Sequence, residues 1–67
     1  MEAYVERMIE EQKNLKEKID KLEKFINSDD CKKLSVQKQF LLELQYAYMV
    51  SYNSVLIKRI EIDKEGD

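Results

Sequence analysis

Tyr4 stands one helical turn before Arg7. An aromatic ring and a guanidinium near a helix start can stack on a nucleobase while the free backbone N–H groups and the cation hold an anion. The plainer alternative is that Tyr4 packs beside the apolar residues Met1, Val5 and Met8. Lys18 flanks Ile19, and Arg59 precedes Ile60. Both cations therefore border apolar surface, which their stems can simply cover. Repeated around a shared pocket by oligomerisation, the same cations form a phosphate site that no single chain possesses.

Other reactive side chains offer less. Glu6, Glu10 and Glu17 fall near one another on helical spacing, but among so many lysines they read as a solvated charged face. Cys31 is the lone cysteine, and the chain has no histidine to activate it, so it reads as a small buried apolar residue in a reducing compartment. Tyr48 and Tyr52 lie within an apolar stripe and are expected in the core, and Tyr46 is ambiguous.

Composition removes most chemistry. With no histidine, one glycine next to the C-terminus and one cysteine in 67 residues, there is no imidazole base, no zinc or di-iron ligand set and no phosphate loop. The reading is therefore a protein that is not an enzyme, with no catalytic residues, no metal and no cofactor. Its net charge of −2 lacks the basic footprint of a protein that coats DNA or RNA. No apolar run approaches the ~20 residues that span a bilayer, and no basic segment precedes an apolar stretch at the start. A cytoplasmic protein without a membrane or polymeric nucleic acid as partner is expected.

The elements that must carry these residues are helical. Charged residues make up 39% and apolar residues 43%, without proline or interior glycine. From Met1 to Ile26, Met1, Val5, Met8, Leu15, Ile19, Leu22 and Ile26 recur at steps of three and four, interrupted by Gln12. Glu17 with Lys21 and Asp20 with Lys24 are favourable i,i+4 pairs. Asn27, Ser28, Asp29 and Asp30 end this helix. Ser28 or Asp29 can cap one short turn, and Ser35 the next long helix. From Val36 to about Asp63 the stripe is wider, taking in Phe40, Leu41, Leu44, Tyr48, Met49, Tyr52, Val55, Leu56 and Ile60. The expected architecture is all-α, one domain over 1–63: helix 1 about 2–27, connector 28–35, antiparallel helix 2 about 36–63, and a disordered tail 64–67. Helices roughly 39 and 42 Å long make a thin hairpin with little enclosed volume. One partner helix cannot cover so wide a stripe, so the chains are expected to associate.

Arg7-Met8, Glu11, Leu15, Lys18-Ile19, Lys21-Leu22, Phe25-Ile26, Ser28 and Leu34 lead into Leu42-x-x-Gln45, Met49-x-x-Tyr52 and Leu56-x-x-Arg59-Ile60. This ordered series, over about residues 4–60, resembles the phage anti-CBASS protein family of cyclic-oligonucleotide sponges. The resemblance implies a helical homohexamer in the host cytoplasm. It would sequester cyclic dinucleotides, cyclic GMP-AMP and its relatives, without cleaving them, so that the immune effector is never activated. By position it assigns base stacking to Tyr4 and phosphate contact to Lys18, with Lys21 as rival and Arg7 nearby, each contributed by two protomers. It assigns Arg59 to a separate site for cyclic trinucleotides. Cys31 departs from the pattern, in which a larger apolar residue such as Phe is usual. Heptads by themselves favour a different class, a coiled-coil-like hairpin acting as a protein interaction or adaptor module.

Overall fold

The computed structural model describes residues 3–65. Three helices follow in order: α1 (Ala3–Ile26), α2 (Asp29–Lys32) and α3 (Val36–Lys64). The chain is all-α, with α1 and α3 packed against each other across a short connector. Their alignment is antiparallel. Gln12 Nε2 donates to Asn53 Oδ1 at 3.0 Å, and Glu11 meets Tyr52. At the connector end, Glu23 and Ile26 line a hollow with Tyr46.

The connector is built by serines. Ser28 Oγ accepts from the Cys31 N–H at 3.3 Å and caps α2, while Ser35 Oγ accepts from the Lys38 N–H at 3.2 Å and caps α3. The short turn begins at Asp29. Gln39 Nε2 donates to the Leu34 carbonyl at 2.8 Å and ties the end of the connector to α3. Cys31 is buried, in keeping with an apolar role. α3 continues through Lys64, one residue beyond the boundary read from the sequence. Met1, Glu2, Gly66 and Asp67 lie outside the described residues, and with them the start of the α1 stripe and half of the expected tail.

Val5, Met8, Leu15 and Ile19 form the inward face of α1, as the three-and-four spacing requires. Gln12, which breaks that stripe, is accommodated by its bond to Asn53. α3 supplies only Leu56 as a fully buried side chain, with Tyr46, Met49 and Ile60 packed beside it. Tyr48 and Tyr52 are not core in the single chain; they are 66% and 44% exposed. The face of α3 turned to α1 runs through Leu42, Tyr46, Met49, Asn53, Leu56 and Ile60. Phe40, Leu41, Leu44, Tyr48 and Val55 point away from the core, and Tyr52 stands at its edge. Asp20 pairs back to Lys16, at 2.8 Å, rather than forward to Lys24. That hydrogen bond, with the carboxylate charge, holds the Lys16 pKa above its ordinary value.

The hairpin is a rod of 48 × 15 × 13 Å with a radius of gyration of 15.2 Å. A compact chain of this length would have a radius near ~11 Å. Its accessible surface is 5321 Å², against ~4,500 Å² for a compact monomer of this mass. The excess accompanies the outward apolar residues of α3, a patch of the kind that marks an interaction surface.

Candidate functional site

Steps of three and four carry Tyr4, Arg7, Glu11, Asn14 and Lys18 along one flank of α1, beside the buried stripe. Tyr52 approaches that flank from α3, because α3 turns Leu56 inward and Tyr52 lies one turn earlier. Together they bound an open groove of about 470 Å³ lined by Arg7, Glu10, Glu11, Asn14, Leu15, Lys18 and Tyr52. Tyr52 Oη donates to Glu11 Oε2, which fastens the two helices at the middle of the groove.

Of the residues nominated from sequence, Arg7 and Lys18 both line this groove. Tyr4 lies on the same flank one turn beyond Arg7, with its ring 46% exposed. Lys21, the rival of Lys18, is exposed one turn further on and does not line the groove. Arg59 is exposed on α3, seven residues past Tyr52 and so on nearly the same face, and it does not line the groove either. Glu6 and Glu17 are exposed on α1, apart from the groove, whereas Glu10 lines it.

Sequence reasoning gave no site role to Glu11 and Asn14, and it placed Tyr52 in the core. Asn14 was legible in principle, since it follows Arg7 by two turns. Tyr52 carried no such signal, because its place depends on which face of α3 meets α1. The groove carries one cation toward each end, Arg7 and Lys18 about 16 Å apart along α1, and presents an apolar edge at Leu15, while its two carboxylates are hydrogen-bond acceptors only.

A second groove, about 460 Å³ and almost wholly apolar, runs along α3 between Leu41, Leu44, Gln45, Tyr48, Met49 and Tyr52. Tyr52 therefore borders both, and the charged flank of α1 is continuous with the outward apolar face of α3.

No curated protein and no solved structure matches the chain. A family model described as Sequestin matches residues 2–62. That name accords with the sponge family whose residue pattern the sequence resembles. The match spans α1, the connector and nearly all of α3, and the chain belongs to the Sequestin family.

Proposed function

We propose that this protein is a phage immune-evasion sponge that assembles from identical hairpins, a hexamer by the resemblance, and sequesters cyclic dinucleotides in the host cytoplasm without cleaving them. The observation that carries the reading is the charged groove of a Sequestin-family chain, lined by both Arg7 and Lys18 on the flank that also bears Tyr4. The family's name denotes sequestration, a task that needs affinity and copy number rather than catalytic groups.

Tyr4 and Lys18 stand roughly 21 Å apart along α1, too far for one chain to stack a base and hold the adjoining phosphate. Glu11 is the midpoint of that span. An antiparallel pairing of two α1 helices about a two-fold axis at this level places each Tyr4 beside the partner's Lys18. A cyclic dinucleotide has two bases and two phosphates in approximate two-fold relation, which such a pairing matches group for group. Two stacked bases at ~1–3 kcal/mol each and two charge-assisted phosphate contacts at ~1.5–3 kcal/mol each supply much of the roughly −12 kcal/mol of a nanomolar complex. Arg59, two turns beyond Tyr52, is assigned to a separate site for cyclic trinucleotides.

Mixing the protein with cyclic GMP-AMP tests the reading. The melting temperature is expected to rise with ligand concentration, as it does when a ligand binds only the folded state. Chromatography after denaturation is expected to return the ligand intact. Linear products would make the protein an enzyme, and an unchanged melting temperature would favour the adaptor reading, in which the exposed α3 face receives another protein. Tyr4→Ala, which removes both stacked contacts from each pocket, is expected to weaken binding by ~2–6 kcal/mol with the assembly unchanged, measured by calorimetric titration beside light scattering. Undiminished affinity would remove the stacking role from Tyr4.

A further inference from the structure

We propose that Glu11, fixed by Tyr52, reads the Watson–Crick edge of guanine, so that the groove takes guanine-containing cyclic dinucleotides in preference to those with adenine alone. This rests on the cyclic-dinucleotide reading above and names the ligand class of the same site.

The charge pattern poses the problem. A groove for a ligand with two phosphates carries Arg7 and Lys18, yet Glu10 and Glu11 offset both cations. Recognition of phosphate alone gains nothing from a carboxylate at the centre of the flank. Glu11 becomes favourable only if the ligand also presents hydrogen-bond donors there.

Guanine does so. Its N1–H and N2–H₂ point the same way, and a carboxylate accepts from both with its two oxygens. Adenine offers one donor, at N6, next to the N1 lone pair, which a carboxylate repels. Glu11 lies seven residues from Tyr4, about 10 Å along the same flank, a distance that a purine stacked on that ring and the glutamate side chain can span between them. Tyr52 Oη donates to Glu11 Oε2. That bond uses one acceptor position, leaves Oε1 and the remaining lone pairs available, and sets the direction of the carboxylate. Tyr52 is thus a positioning residue and Glu11 the one that touches the base.

Calorimetric titration of the assembled protein with cyclic di-GMP and cyclic di-AMP tests the assignment. The wild type is expected to prefer cyclic di-GMP by ~10- to 100-fold, the range of a good bidentate contact to a base. Glu11→Gln exchanges one acceptor for a donor, which suits the N1 and N6 edge of adenine. The preference is expected to disappear or invert. Tyr52→Phe keeps the ring and frees the carboxylate, so it is expected to reduce the preference while the mass of the unliganded assembly stays the same. Equal shifts for both ligands in Glu11→Gln would make Glu11 a mere countercharge and overturn the proposal while leaving the sponge reading intact. A wild type that prefers cyclic di-AMP would do the same. Binding of neither ligand, nor of cyclic GMP-AMP, would overturn the sponge reading and this inference together.

Discussion

Lys18→Glu is expected to lower affinity for a cyclic dinucleotide by ~10²- to 10⁴-fold while the hairpin melts as before. On the sponge reading each pocket contains Lys18 twice. The substitution therefore removes two charge-assisted phosphate contacts, at ~1.5–3 kcal/mol each, and every 1.4 kcal/mol is about a factor of ten. Two carboxylates then face two phosphates, an added repulsion that works in the same direction. Stability is unaffected because Lys18 is exposed on the flank and supplies none of the buried contacts of α1. Calorimetric titration measures the loss, and a melting curve confirms that the fold is retained. An affinity within tenfold of the wild type would move the phosphate role to Arg7, which shares the groove, or to Lys21 one turn further on.

The difference between Lys18 and Lys21 illustrates what the sequence can and cannot resolve. Both sit beside an apolar residue, Ile19 and Leu22, and spacing alone leaves them equivalent. In the hairpin Ile19 is buried against α3 and Leu22 only half-buried. Lys18 accordingly lines the groove where α3 contributes Tyr52, and Lys21 lies past it. α1 was legible almost residue by residue, since its apolar positions fall on one side and its charges on the other. The serine caps were legible too, because a hydroxyl that accepts from the third N–H onward is a local device that does not depend on the rest of the fold.

α3 was legible as a helix but not as an oriented one. Its apolar residues occupy more than one side, so the period identifies the helix without choosing the face that meets α1. The face used is Tyr46, Met49, Leu56 and Ile60, with Asn53 included because Gln12 of α1 supplies its partner. Leu41, Leu44, Tyr48, Tyr52 and Val55 were left outside. Tyr52 therefore changed from an expected core residue into the one side chain common to both grooves. Its bond to Glu11 joins residues 41 positions apart, and no local pattern announces a contact of that kind.

The same outward face supports the second large prediction, that a paired substitution Leu41→Lys and Tyr48→Lys separates the subunits without unfolding them. In the single chain these side chains are 55% and 66% exposed and belong to no buried cluster, so the hairpin itself loses nothing. In an assembly seated on the α3 groove they become desolvated, and a charge buried there without a partner costs several kcal/mol. The mass by light scattering is expected to fall toward the 8.1 kDa of one chain, with helical circular dichroism retained. Ligand affinity is expected to fall with it although neither residue lines the charged groove. Tyr4 and Lys18 on one helix are too far apart to serve one ligand, and only a second subunit brings another copy of each within reach. Leu56→Lys provides the contrast: Leu56 is wholly buried between α1 and α3, so that change removes helical signal as well as mass. Retention of the oligomer in the Leu41, Tyr48 double variant would show that subunits meet elsewhere. Dissociation with undiminished affinity would show that one hairpin suffices for the ligand and would remove the need for a two-fold pocket.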